Sequence, residues 1–320
     1  MINSLTSKEK MNSISIIIPC YNEQDNIERL CRELRKMFDD NTQYIWKVIL
    51  IDDGSTDGTL HELRRAADND TRFGYVSLSR NFGKENAMLA GFDRADTDCA
   101  VIMDADLQHP PTLIPEMVAI WEQGYDDVYA KRATRGKEPW LRRRLSMAYY
   151  RLLQRMARID VLPDVGDFRL LDAKCIHSMR MLRETQRYTK GLYCWIGFRK
   201  KSIEFSQQGR TAGHSSFSYM RLLDLAIEGI TSYTTAPLRI STVMGIIVSA
   251  VALLYMLYVL VKTLVVGDPV QGYPTLIIVI LFLGGLQLLS LGILGEYLGR
   301  VFHETKHRPV YLVEEEREAQ

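Results

Sequence analysis

The sequence predicts an α/β fold: a mostly parallel sheet with helices on both faces, followed by two membrane-crossing helices. Three observations predict it. Short apolar runs alternate with helical stretches through the first 130 residues, the pattern of βαβ crossovers. Successive runs end in polar, mostly acidic residues, which loads one edge of the sheet with chemistry. Residues 240–266 and 274–298 are apolar over more than the roughly 20 residues that span a bilayer.

Residues 1–12 read as a polar arm, without the apolar stretch of a secretory signal. The α/β domain is expected over 13–215. Ser13 to Pro19 is a buried β-run that breaks into Cys20-Tyr21-Asn22-Glu23. Asp25 then caps a helix whose apolar positions Ile27, Leu30, Leu34 and Phe38 recur at helical spacing. Trp46 to Ile51 is a second strand, ending in Asp52-Asp53-Gly54-Ser55-Thr56-Asp57, with Asp57 as a cap. Tyr75 to Leu78 is a third, followed by Arg80-Asn81-Phe82-Gly83-Lys84-Glu85 and a helix over Ala87 to Phe92. Cys99 to Met103 is the fourth, and Asp127 to Ala130 the fifth, ending in Lys131-Arg132. Trp140 to Ile159 is helical and basic. Asp164 to Leu170 reads as a loop, Phe198 to Phe205 as a returning strand and Gln207 to Ser216 as a polar loop.

Residues 216–239 form an amphipathic segment, lying flat in the membrane interface or packed on the soluble domain. The two apolar helices follow, about 240–266 and 274–298, joined by a turn with no Lys or Arg. Arg239, Arg300, Lys306 and Arg308 flank them on the outer sides. The positive-inside bias therefore puts both termini and the soluble part in the cytoplasm, with residues 301–320 as a tail. Gln287 and Glu296 are costly at depth and are expected to face a partner or, for Glu296, to reach water. Gly295 and Gly299 allow close helix approach.

Composition narrows the classes. A formal net charge of +1 over 320 residues supplies no field to recruit nucleic acid. Five cysteines without a C-x-x-C pair argue against a disulfide framework or a zinc site and fit a reducing compartment.

The chemistry centres on Val101-Ile102-Met103-Asp104-Ala105-Asp106-Leu107-Gln108. In open α/β sheets, ligands bind outside the carboxyl ends of the strands. Two hard carboxylates there suit Mg²⁺ or Mn²⁺ together with substrate phosphate oxygens. No G-x-x-x-x-G-K-[ST] is present, and no G-x-G-x-x-G follows a strand. What remains is a nucleoside diphosphate held through a metal. A metal-bound diphosphate is a good leaving group for glycosyl transfer. Asp52 and Asp53 suit hydrogen bonds from a ribose or a base, and Lys131, Arg132 and Arg210 can add positive charge.

Ser15 to Glu23, Ile51 to Asp57 and Asp104-Ala105-Asp106-Leu107-Gln108 resemble the family 2 glycosyltransferases of GT-A (Rossmann-like) fold. Arg80 to Glu85, Val165 to Leu170, Ala236-Pro237-Leu238-Arg239 and Gly295 to Arg300 narrow the resemblance to bacterial polyprenyl-phosphate glycosyltransferases, near the bactoprenol glucosyltransferases. Dolichol-phosphate mannose synthases are more distant relatives. The resemblance runs from about Ser13 to Pro309.

It implies inverting transfer of one sugar, glucose from UDP-glucose, to undecaprenyl phosphate. This would occur at the cytoplasmic face of the inner membrane, for O-antigen or envelope glycan modification. It implies nucleotide-sugar contacts from Pro19, Tyr21, Glu23, Asp52, Asp53, Lys84, Ala105, Arg132 and Arg210. It implies a metal and diphosphate held by Asp104, Asp106 and Gln108. Arg132 and Arg210 would touch the diphosphate or acceptor phosphate. Lys84 and Arg142 to Arg144 are candidates to attract the lipid phosphate, or simply anionic headgroups. Asp167 matches the position often proposed as catalytic base. A phosphate monoester, with a second pKa of about 6, needs little deprotonation, so Asp167 is expected to orient Arg169 or the sugar hydroxyls. Where relatives read G-x-S/T-K, this chain has Gly213-His214-Ser215-Ser216, so one cation is missing or supplied by His214. Relatives suggest a homo-oligomer, with a tetramer as one form. Alternatives are another donor (UDP-GlcNAc, UDP-galactose, GDP-mannose or a formamido-arabinose nucleotide), a processive synthase, or an inactive nucleotide-binding scaffold. The absence of Q-x-x-R-W disfavours the synthase.

Overall fold

The computed structural model describes residues 11–132, 165–185, 187–205, 236–266 and 272–320. The described residues fall into two compact units, one holding the sheet and residues 309–320, the other the long C-terminal helices. Arg142 to Arg144, Arg210, the Gly213 to Ser216 loop and residues 216–235 of the amphipathic segment lie outside the described residues, while residues 236–239 join the first long C-terminal helix.

The first unit is an eight-stranded sheet in the order β7-β5-β6-β4-β1-β2-β3-β8. The strands are β1 (Ser13–Cys20), β2 (Ile45–Asp52), β3 (Phe73–Leu78), β4 (Cys99–Ile102), β5 (Asp127–Arg132), β6 (Val165–Asp172), β7 (Lys200–Phe205) and β8 (Val313–Arg317). β1 to β4 pair in parallel, and β5 and β7 run the same way. β6 runs against its neighbours β4 and β5, and β8 runs against β3. The sheet is thus mixed, with one dominant strand direction.

Among the described residues, six α-helices dress it: α1 (Gln24–Asp40), α2 (Thr59–Asn69), α3 (Lys84–Arg94), α4 (Ile114–Glu122), α5 (Ala173–Met181) and α6 (Thr189–Trp195). Strand alternation decides which face each covers. Ile14, Ile16 and Ile18 of β1 join Ile27, Leu30, Leu34 and Phe38 of α1, Leu63 of α2 and Met117 of α4 in one buried cluster. On the other face, Gly91 of α3 lies against Ile17 so closely that a Cβ would stand 2.3 Å from its Cγ2. Helices therefore cover both faces, as expected. All five cysteines are unpaired.

Three local expectations change. Glu23 holds the cap position of α1, with no side-chain capping hydrogen bond, and Asp25 lies in the first turn. Its charge still suits the positive end of the helix. Asp57 does accept the backbone N–H of Thr59 at 3.0 Å, ahead of α2. Residues 165–170 are strand, not loop. Gly166 and Asp167 imitate turn chemistry, but Phe168, Leu170 and Leu171 are fully buried between β4 and β5, and pairing on both sides overrides local propensity. Finally, the tail contains β8, whose charged VEEER sequence pairs with the open edge of β3.

In the second unit, α7 (Ala236–Val266) and α8 (Tyr273–Thr305) are continuous helices of 31 and 33 residues. At 1.5 Å per residue each is about 45–50 Å long, beyond the ~30 Å hydrocarbon thickness of a bilayer. Large apolar side chains face outward, among them Ile246, Leu254, Leu288 and Leu291. Among the described residues, Phe282–Thr305 is long and apolar enough to cross a membrane. α7 and α8 enclose a groove of about 490 Å³ in which Gln287 and Ser290 line the same space as Ser241 and Thr242. Gln287 thus lines the groove between the two helices while remaining exposed.

Candidate active site

The carboxyl ends of β1, β2 and β4 are adjacent because those strands are adjacent. Three acidic loops therefore meet at one edge. After β1, Asn22 adopts a left-handed φ of 55°. Its amide donates to Ser55 Oγ at 3.0 Å, and its Oδ1 accepts from the Thr56 amide at 2.8 Å. This stitches the β1 loop to the β2 loop and leaves Tyr21 47% exposed at the surface. Pro19 is half-buried, opposite Ile51.

Asp52 and Asp53 are buried and build the loop. Asp52 accepts from the Ser55 amide and from Ser77 Oγ, each at 3.0 Å. Asp53 accepts the Phe82 N–H at 2.7 Å, fixing the turn before α3. Burial pushes the Asp53 carboxyl up, and the Phe82 and Gly83 amides oppose that. A carboxylate has about four acceptor sites, so a nucleoside reaching either residue shares oxygens already in use. Gly54 (φ +64°) crosses the same turn, where a Cβ would stand 2.3 Å from the Arg80 carbonyl carbon.

After β4 the chain turns sharply. Leu107 holds a left-handed φ of 56°, and Asp106 Oδ1 accepts the Gln108 N–H at 3.1 Å. Ala105 and Gln108 are buried, while Asp104 and Asp106 keep partial exposure. Glu23 belongs to the same field. Burial raises its carboxyl, an Asn26 hydrogen bond opposes this, and the charges of Asp106 and Asp104 add to the rise.

β6 brings Asp167 beside this turn. Lys84, the first residue of α3, places its Nζ 2.6 Å from Asp104 Oδ1 and 2.7 Å from Asp167 Oδ2. Burial would lower the Lys84 ammonium, but Asp104 and then Asp167 outweigh it and hold its pKa above the usual lysine range. Burial would likewise raise Asp167, but Lys84 and then Lys190 hold it below the usual carboxylate range. Among the described residues, no hydrogen bond or ion pair joins Asp167 to Arg169. Arg169 instead forms a buried ion pair with Asp127 at 3.0 Å and stacks over Tyr193, 3.6 Å from the ring centroid. That pairing holds β6 to β5.

Asp104, Asp106, Glu23, Asp167 and Lys84 are thus brought together. Arg132 closes β5, with its backbone opposite Phe205. Sequence reasoning missed the Lys84 bridge, the Lys190 field and the Asp127–Arg169 pair. For Asp127 a signal existed, since an acid inside an apolar strand run needs a buried partner; Lys190 carried none. Among the described residues, no three His, Cys, Asp or Glu side chains form a ready-made metal cage. Two carboxylates suit an ion that takes its other ligands from phosphate and water, the usual habit of Mg²⁺.

Residues 15–179 match glycosyl transferase family 2, and residues 236–301 match the GtrB C-terminal hairpin. The chain belongs to glycosyl transferase family 2. An uncharacterised glycosyltransferase of Synechocystis sp. is 42% identical over 94% of this chain and 94% of its own length. The bactoprenol glucosyl transferase of Shigella phage SfV is 38% identical over 95% of this chain and 99% of its own. A prophage bactoprenol glucosyl transferase homolog of Escherichia coli is 37% identical over 94% and 98%. Among solved structures, glucosyl-3-phosphoglycerate synthase from Mycobacterium tuberculosis, in complex with Mn²⁺, UDP and glucosyl-3-phosphoglycerate, superposes at a TM-score of 0.48. That likeness has 18% identity over 69% of this chain and 78% of that one. This family 2 enzyme has the GT-A fold, and its C-terminal hairpin makes it membrane-associated.

Proposed function

We propose that this glycosyltransferase moves glucose from UDP-glucose to undecaprenyl phosphate, with inversion, at the cytoplasmic face of the inner membrane. The observation that carries the reading is near end-to-end similarity to bactoprenol glucosyl transferases, hairpin included. Two membrane helices with both ends cytoplasmic fit a lipid acceptor whose phosphate stays at the bilayer surface. A Cβ built at Gly295 or Gly299 would meet nothing within 4 Å among the described residues beyond its own helix, which leaves room for a second copy in a homo-oligomer.

Asp104 and Asp106, with Gln108 beside them, would hold Mg²⁺ or Mn²⁺ on the diphosphate. When bound, such an ion neutralises charge on the departing UDP. The chain's own residues do the rest. Tyr21 offers a ring to the base, and Asp52 and Asp53 offer acceptors to the nucleoside through a loop they themselves hold rigid. Lys84 keeps Asp167 ionised and in place. A carboxylate held below its ordinary range is a poor proton acceptor, and the acceptor phosphate is already anionic at neutral pH. Asp167 therefore positions Lys84 rather than removing a proton. Arg132 and Arg210 complete the proposal as cations for the diphosphate or acceptor phosphate.

The test is transfer to undecaprenyl phosphate from UDP-glucose, UDP-GlcNAc, UDP-galactose and GDP-mannose in parallel. UDP-glucose alone should give a lipid-linked β-glucoside. A different preferred donor removes the donor assignment, and no lipid product from any donor removes the reaction.

A further inference from the structure

Lys84 occupies an oxygen that the proposed chemistry needs. Its ammonium contacts Asp104 Oδ1 and Asp167 Oδ2 at once. Four carboxylates, Glu23, Asp104, Asp106 and Asp167, crowd this edge, and the charges of Asp106 and Asp104 add to the burial that raises Glu23. A cation here offsets that repulsion, and among the described residues Lys84 contacts two of the four, Asp104 and Asp167. An ammonium and a divalent ion repel each other, so both are poorly accommodated on one carboxylate. The two contacts of Lys84 also differ. Asp167 is 8% exposed, its Oδ1 has no hydrogen-bond partner among the described residues, and Lys84, on Oδ2, is the first of the positive charges that compensate it, ahead of Lys190. Asp104 is more open and can exchange one cation for another.

We propose that Lys84 is an exchangeable counter-cation. It holds Asp104 in the metal-free enzyme, releases that oxygen when a divalent ion binds, and stays on Asp167 throughout. Asp167 is then the tether that keeps the displaced ammonium beside the site. The inference rests on the metal reading above.

The test measures binding of Mn²⁺ in the presence of UDP to the full-length protein in detergent, by loss of the free Mn²⁺ EPR signal. Lys84→Met should bind Mn²⁺ about tenfold more tightly than wild type, because a competing positive charge is gone. Lys84→Arg, which keeps the charge, should stay near wild type. Lys84→Gln serves as a second neutral variant should Lys84→Met not fold, with the same gain expected. In EDTA the neutral variants should melt at a lower temperature than wild type, and Mn²⁺ with UDP should raise their melting temperature by more. Equal or weaker Mn²⁺ affinity in the neutral variants overturns the exchange while leaving the metal reading intact. Absence of Mn²⁺ binding to wild type removes the metal reading and the exchange with it.

Discussion

Asp104 shares an oxygen with Lys84, whereas Asp106 gives one to the Gln108 amide. The first contact is replaceable and the second shapes the turn. The Lys84–Asp167 contact makes a pH prediction. Asp167 is depressed below 3.8, so its contribution is present above that value and lost as pH falls through the folded pKa. Lys84 is raised above 10.5, so its contribution is present below that value and lost as pH rises through the folded pKa. The melting-temperature deficit of Asp167→Asn should therefore be flat between about pH 5 and 9 and shrink at both extremes. Thermal melts across pH check this. Gly54→Ala meets both a positive φ and the Arg80 backbone, and should cost at least about 1–3 kcal/mol in denaturant unfolding. The acids at the strand ends were legible because each apolar run stops abruptly at them. The Lys84 bridge was not, since its second partner lies 83 residues away on a strand whose presence the local residues conceal.

β6 shows how much an element can depend on partners distant in sequence. Its polar residues are tolerated because Arg169 pairs with Asp127 and Asp167 with Lys84. Arg169→Met alone leaves Asp127 buried and unpaired, and should cost about 3–5 kcal/mol. Adding Asp127→Leu should recover much of that, a double-mutant comparison in urea being the measurement. The first four strands and α1 were readable from periodicity, because each has a single apolar face or is buried outright. β8 was not readable, because an edge strand held by backbone pairing and by ion pairs from Arg64 and Arg94 needs no apolar pattern. Deleting residues 313–320 should uncover the edge of β3, lower the melting temperature and promote aggregation, which light scattering would detect.

For the molecule as a whole, the sheet edge supplies the site and the C-terminal hairpin supplies the membrane. Apolar length announced the hairpin plainly. Carbonate washing should leave the full chain in the membrane fraction, and release there would remove the membrane-spanning reading. Transfer itself is to be measured in membranes carrying wild type, Asp104→Asn, Asp106→Asn or both, supplied with radiolabelled UDP-glucose, undecaprenyl phosphate and Mn²⁺. Wild type should form lipid-linked glucose, EDTA should abolish it, and the doubly substituted enzyme should fall by at least about a hundredfold. Product appearing at an undiminished rate from the double variant would contradict the account.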